Sequence, residues 1–186
     1  MMRPRVPFAL DGIKPTLVRL RAVTPDDHAQ ITKVFGSIGP AFKASGLGEP
    51  PDEASALIDG RAVPEGVDAE RQIAAGLALR GDGNLVGVLE LLDGHPDNDS
   101  VYIAGLYLAP EAHAQGIGTD VVDAIARTAK ARGVRALRVG VQSSNGPAMR
   151  FWTTRGFDQV TGLTGPGLET VDAPVRVELT RTIPVE

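Results

Sequence analysis

The succession of hydrophobic periods along this chain, β-α-α-β-β-β-α-β-α-β-β, predicts an α/β (α+β) protein. It would be a mixed sheet of six to seven strands with about four helices on its two faces. Three stretches carry that expectation. Ile73 to Leu79 and Leu85 to Leu92 flank a Gly81-Asp82-Gly83-Asn84 turn and read as a hairpin. An apolar run from Val101 to Leu108 leads, past Gly116 and Gly118, directly into an amphipathic helix. Ala136 to Val141 is the strand that follows that helix.

The remaining elements follow in order. Residues 1–16 hold three prolines and one glycine and read as an irregular lead-in. Val18-Arg19-Leu20-Arg21-Ala22 alternates apolar and charged side chains, as a half-buried strand does. Thr24-Pro25-Asp26-Asp27 opens a helix with a threonine N-cap, an early proline and acids in the first turn. Ile31, Val34 and Phe35 mark its buried face. Residues 36–51 are loop-rich, and Asp52 to Asp59 suits a short helix. Asp93 to Asp99 is a polar loop, and Gly105 within the next strand signals a bulge or a close backbone approach. Asn145 caps a helix bearing Ala148, Phe151 and Trp152 on one face, ended by Gly156. A strand near Phe157 to Val160 comes next, then a loop rich in glycine and threonine. Val175, Val177 and Leu179 mark a last strand.

Composition bounds the function. A chain of 186 residues with 42% apolar and 23% charged residues makes one globular domain with a proper core. A net charge of −4 argues against a general nucleic-acid binder or an anionic-membrane protein. The absence of cysteine excludes disulfides, thiolate zinc sites and a cysteine nucleophile. No apolar run approaches the ~20 residues that span a bilayer, and no signal-peptide pattern opens the chain, so a cytoplasmic location is expected.

The helix after the glycine turn is well specified. Val121, Val122, Ile125, Ala126 and Ala129 form one apolar stripe. Asp120 and Asp123 lie in its first turns, Arg127, Lys130 and Arg132 towards its end, and Gly133 suits its C-cap. Unpaired backbone N–H groups at such a terminus are a ready site for phosphate. The turn is not a Walker loop, since no G-x-x-x-x-G-K-[ST] occurs, and Val121 stands where a dinucleotide fingerprint needs its third glycine. Neither G-x-S-x-G nor H-E-x-x-H is present. The run Leu106-x-Leu108-x-Pro110-Glu111, the pair Gly116 and Gly118, and the block Asn145-x-x-Ala148-x-x-Phe151-Trp152-x-x-x-Gly156-Phe157 together resemble the GNAT superfamily of N-acetyltransferases.

The resemblance implies a mostly antiparallel sheet with a V-shaped cleft, opened where a bulged strand splays from the next. It implies transfer of acetyl from acetyl-CoA, with no metal, to a primary amine of a small molecule or peptide, by direct attack in a ternary complex. Residues 17–104 would form the N-terminal half and acceptor side, 105–157 the acetyl-CoA core, and 158–186 the C-terminal strands. The backbone at Leu106, Tyr107 and Leu108 would pair with the pantetheine arm. Amides around Ala114, Gln115, Gly116, Ile117, Gly118 and Thr119 would hold the pyrophosphate. His113 stands where the family has Arg or Gln, and Ala114 replaces a frequent glycine. His113 either supplies positive charge near phosphate or is a solvated loop residue. Asn145 can bond the pantetheine while capping its helix. Ala148 is small either to let the cofactor pass or for helix packing.

Trp152, which the resemblance places among the cofactor contacts, stands where tyrosine is common, and an indole cannot act as an acid near neutral pH. An alkyl ammonium of pKa ~10.4 must lose a proton before attack, so a base is needed. Glu90, an acid on a face shared with Val86, Val88 and Leu92, is the best candidate; the alternatives are a solvent-facing side chain or an ion pair. Asp93 and His95 are surface residues or act through water. Many relatives carry an acid about where Gly105 stands, so the base stays unassigned. Tyr102 and Tyr107 fall on opposite faces of a regular strand, unless a bulge intervenes. The acceptor would be lined by residues 36–60 and 161–173, including Phe42, Lys43, Glu49, Asp52 and Glu53. The excess of acids there favours a cationic amine or is a solvated face. A binding module without turnover, another acyl chain or acceptor, and a homodimer all stay open.

Overall fold

The computed structural model describes residues 6–39, 48–61, 63–64, 67–81, 83–165 and 175–184. Its strands are β1 (Val18–Ala22), β2 (Gln72–Leu79), β3 (Leu85–Asp93), β4 (Ser100–Leu108), β5 (Ala136–Gln142), β6 (Gln159–Thr164) and β7 (Arg176–Thr182). Its helices are α1 (His28–Ile38), α2 (Pro50–Ile58), α3 (Ile117–Arg132) and α4 (Gly146–Thr153). The strands form one seven-stranded sheet in the order β1-β2-β3-β4-β5-β7-β6. Every neighbouring pair is antiparallel except β4 and β5.

Two apolar clusters, one on each face, explain why β3 is buried along nearly its whole length. Ile31, Val34 and Phe35 of α1 and Ala54 and Leu57 of α2 close over Ala78, Leu85 and Val88. On the other face the α3 stripe packs with Leu89, Leu91, Val101, Ile103, Leu137 and Val139. Covering both faces removes the need for polar alternation, hence the run Leu89-Glu90-Leu91-Leu92.

Thr24 caps a short 3-10 turn, Pro25–Asp27, and α1 follows it from His28, one turn later than the sequence suggests. Asp27 accepts two hydrogen bonds from the Arg21 guanidinium, at 2.7 and 2.6 Å, and one from the Thr24 N–H at 2.9 Å. Those bonds, Arg21 foremost, hold its carboxyl down to about 2. Helix α3 ends on Gly133 in the left-handed region (φ +74°), as expected.

Among the described residues the lead-in is irregular as expected apart from the 3-10 turn Leu10–Gly12, and Phe8 and Ile13 anchor it in the core. Two expectations are corrected. Helix α4 ends at Thr153, before Gly156. The strand expected near Phe157 to Val160 runs on through Thr161-Gly162-Leu163-Thr164, because pairing with β7 supplies hydrogen bonds that a glycine- and threonine-rich composition does not announce. Residues 166–173, Phe42, Lys43 and Asp82 lie outside the described residues.

The bulge falls at Ala104, beside Gly105. Glu90 pairs with Gly105 but Leu91 with Ile103, so Ala104 has no opposite number on β3. The extra residue reverses the alternation. Val101 and Ile103 face the α3 core, and so do Leu106 and Leu108, whereas Tyr107 packs against the α1–α2 cluster.

Candidate active site

The bulge has a second consequence. Strands β4 and β5 pair in parallel from Ser100 to Ile103 and from Ala136 to Val139, and the pairing stops there. Beyond it, Leu106–Leu108 and Gly140–Gln142 part around a groove of about 800 Å³ that ends at the start of α3. Two strand edges thus face an open space rather than each other.

Gly116 is the α3 N-cap, at φ +79°, in the left-handed region that glycine enters at no steric cost. The first-turn N–H groups of the helix have no carbonyl one turn earlier to meet, and Ile117, Gly118 and Thr119 line the groove. At Gly118 a Cβ would lie 3.1 Å from the Phe151 ring and 3.4 Å from Leu108, so a bare backbone is needed where α3 meets α4.

Most residues singled out from the sequence share this groove: Leu106, Tyr107, Leu108, His113, Ala114, Gly116, Ile117, Gly118, Thr119, Asn145, Ala148 and Trp152. Gln115 does not line it; its amide donates to the Glu111 carbonyl and folds the side chain back along the loop. His113 Nε2 lies 2.9 Å from the Leu108 carbonyl. A carbonyl only accepts, so that nitrogen carries a proton and ties the loop to the end of β4. Ala114 sits at φ +57°, the conformation for which the missing glycine would be suited. Asn145 Oδ1 accepts the Ala148 N–H at 3.1 Å, which leaves its amide nitrogen for other bonds. Trp152 is only 7% exposed and packs edge-to-face on Phe151 and Phe157, each at 5.0 Å. It is largely a core residue with one edge on the groove.

Several groove residues have no counterpart in the sequence reading. Arg155 donates to Thr119 Oγ1 from Nε at 3.0 Å and lies 4.1 Å above the Phe151 ring, which brings a cation to the first turn of α3. Only the α3–α4 packing reveals it, since Arg155 lies 36 residues from Thr119. Gln142 Oε1 on β5 is buried without a hydrogen-bond partner among the described residues. An orphaned acceptor on a groove wall calls for a donor from a ligand, and an amide-bearing arm supplies one. The polar groups therefore fit a phosphorylated, amide-containing ligand: helix N–H groups and the Arg155 guanidinium as donors at one end, strand edges and the Gln142 acceptor along the length.

A second cavity of about 360 Å³ opens on the α1–α2 side of the sheet, and Ala104, Tyr107 and Arg176 border both spaces. Glu90 lines it, 8% exposed, with Val88 and Leu92. The solvent-facing alternative for Glu90 is thereby overturned. Val86 does not share its face: a register shift between Leu77 and Ala78 turns Val86 into the α3 core. Gln72 donates to Glu90 Oε1 at 2.7 Å. Burial pushes the Glu90 carboxyl up to about 7, the Gln72 bond opposes this, and the Glu53 charge adds to it. Tyr102 and Tyr107 share this cavity, the one-residue bulge having brought them to one face. Burial, followed by the Glu90 charge, pushes Tyr107 up to about 12; burial also raises Tyr102, against the pull of Arg176.

His95 joins the cavity with its ring edge-on to Tyr102 at 5.4 Å, whereas Asp93 accepts the Phe8 N–H at 2.9 Å and serves the N-terminal arm. Of the acids expected on the acceptor side, Glu53 lines the cavity, and Glu49 and Asp52 do not. Among the described residues no helix is long and apolar enough to cross a membrane.

A family model described as the acetyltransferase (GNAT) family matches residues 46–157. Uncharacterized N-acetyltransferases of Mycobacterium tuberculosis and Mycobacterium bovis are 33% identical over 81 residues, 44% of this chain and 51% of theirs. The chain thus spans about half the length of the curated relatives it matches. A GNAT-family protein from Chromobacterium violaceum superposes with a TM-score of 0.78 at 15% identity, over 97% of this chain and 90% of that one. PaiA N-acetyltransferase from Thermoplasma acidophilum, solved in complex with coenzyme A, gives 0.64 at 16% identity, over 90% and 99%. An acetyltransferase from Thermus thermophilus gives 0.63 at 22%, over 90% and 97%. At these identities the structural likeness is one of fold.

Proposed function

Since the chain belongs to the acetyltransferase (GNAT) family, we propose that it transfers acetyl from acetyl-CoA to a primary amine held in the second cavity. One observation carries this reading: β4 and β5 part just in front of the first turn of α3, and the parted region adjoins a cavity holding a buried carboxyl.

In this reading the first-turn amides of α3 and the Arg155 guanidinium hold the pyrophosphate. The free edge of Leu106–Leu108 and the orphaned Gln142 acceptor align the pantetheine arm, which brings the thioester to the bulge at Ala104. Coenzyme A supplies an acyl group on a thiolate leaving group; the chain supplies position and proton transfer. Glu90, with its raised pKa, takes a proton from the incoming ammonium, directly or through one water. The free amine attacks the thioester carbonyl carbon, a C–N bond forms and the C–S bond breaks. Backbone N–H groups beside the bulge are the donors nearest the developing oxyanion. Trp152 cannot protonate the leaving thiolate, so that proton comes from solvent or from the proton released by the amine.

The test is calorimetric titration with acetyl-CoA beside coenzyme A release against a panel of amines. Binding and release are both expected. Gly118→Val pushes a side chain into Phe151 and Leu108 and should weaken binding ~10-fold or more, about 1.4 kcal/mol. Binding without release on the whole panel would instead identify a binding module, and no binding at all would refute the reading.

A further inference from the structure

Around the second cavity the two glutamates and the guanidinium of Arg176 lie on different sides. Glu90 and Glu53 stand on the β3–α2 side, close enough for the Glu53 charge to act on Glu90. Arg176 stands on the β7 side, beside Tyr102. Gly140 shows how it is seated: a Cβ there would lie 2.8 Å from Arg176 Nε and 2.5 Å from Tyr102 Oη. The guanidinium therefore lies across β5 at the junction between groove and cavity, over the one position without a side chain.

Other cations near this end of the sheet are engaged. Arg61, which also lines the cavity, pairs with Asp59 at 2.8 Å, and Arg138 with Glu178 and Asp97 at 2.9 and 3.1 Å. Arg176 forms no ion pair among the described residues. A simple amine in this space would meet Glu90 and Glu53 but would also face a guanidinium that has no ion-pair partner among the described residues. A ligand that carries both signs meets both poles. Leu57, Val88 and Leu92 between the poles leave an apolar wall for a hydrocarbon group. At about 360 Å³ the cavity is at the small end of the range for ligand sites, about 300–1,000 Å³.

We propose that the acceptor is an amino acid, its ammonium set on the Glu90–Glu53 side and its carboxylate received by the forked guanidinium of Arg176 at the edge of the acetyl-CoA groove. This inference rests on the acetyltransfer reading and narrows its substrate class. The α-amine and α-carboxylate of such a compound are neighbours. Anchoring the carboxylate at Arg176 therefore holds the nitrogen at the junction that Ala104 and Tyr107 border, next to the bulge. The reaction stays balanced: the ammonium nitrogen gives up two protons and gains the acetyl group, one proton going to Glu90 and the other leaving with coenzyme A as the thiol.

The test uses matched acceptors: leucine and phenylalanine, their amides, and the corresponding amines without the carboxylate. With the wild-type chain, kcat/KM for the amino acid should exceed that for the amide and the bare amine by ~10-fold or more. In Arg176→Gln the ratio should collapse towards unity, mainly through a higher KM for the amino acids, and Arg176→Lys should restore part of it. Equal or better use of the amides and bare amines would overturn the proposal. So would an Arg176→Gln variant that weakens acetyl-CoA binding as much as it raises KM, because the guanidinium would then serve the cofactor. If no amine releases coenzyme A, the acetyltransfer reading fails first. Calorimetric titration of leucine and phenylalanine into the protein saturated with coenzyme A still decides the acceptor class, and absence of binding there refutes it.

Discussion

Glu90, the base proposed for this site, is a buried carboxyl whose protonation has a definite sign. Its carboxyl titrates at about 7 in the fold against an ordinary 4.5, so between those values the folded chain holds more proton than the unfolded one. Its contribution to stability is therefore complete below pH 4.5 and is lost as pH rises through 7, ~3 kcal/mol over the whole interval. Glu90→Gln should flatten that dependence and leave the protein more stable than wild type at pH 8, as urea melts at pH 5 and pH 8 will reveal. On the kinetic side, kcat/KM should rise with pH to an inflection near 7 as the carboxylate becomes available. The variant should lose both the inflection and ~100-fold or more of the rate. A pH–rate profile unaffected by the substitution removes Glu90 as the base. Trp152 gives the opposite lesson at the same scale. Its place in the motif suggested a cofactor contact, whereas its burial between Phe151 and Phe157 makes it first a packing residue.

At the level of elements, the lead-in to α3 carries a local misfit. Ala114 is the only non-glycine residue at positive φ among the described residues, at +57°, two positions before the glycine cap. A β-carbon in the left-handed region costs ~1–2 kcal/mol. Glycine also loses more chain entropy on folding, which offsets part of the gain. Ala114→Gly should therefore stabilise by roughly 0.5–1 kcal/mol and raise Tm by about 2 °C in differential scanning calorimetry. An unchanged or lower Tm would show that the loop, held by His113 on the Leu108 carbonyl, has already absorbed the misfit. In β4 a single extra residue, Ala104, opens the groove, gathers two tyrosines on one face and sets Glu90 beside them.

Across the whole molecule, the N-terminal arm ties the first strand to α3. Asp120 Oδ2 accepts the N–H groups of Thr16 and Leu17 at 2.7 and 2.8 Å, and Oδ1 accepts the Thr16 hydroxyl at 3.0 Å. Thr128 Oγ1 donates to the Gly12 carbonyl at 3.0 Å further along the same helix. The acid read from the sequence as a partner of the helix dipole is thus also a long-range clamp, spanning 104 residues to Thr16. Asp120→Ala should cost about 2 kcal/mol, because three donors lose a charged acceptor at a partly exposed site, and lower Tm by about 5 °C. Amide exchange in residues 14–18 should accelerate in the same variant; a Tm within 1 °C of wild type would mean that water replaces the clamp at no cost.

By itself the sequence determined what depends on near neighbours in the chain. The α3 stripe and its Gly133 cap, the β2–β3 hairpin, the Thr24 start and the glycine turn are all local patterns with local causes. They sufficed to place most of the groove wall. Only the tertiary structure decided what depends on register and on contacts between distant segments. These are the position of the bulge at Ala104, the turn of Val86 away from Glu90, the extension of β6 along β7, and the arrival of Arg155 and Arg176 at the site. The physical reason is that a one-residue change in strand register inverts every side chain beyond it, while a side chain four or five bonds long finds its partner across the fold. Hydrophobic period encodes neither.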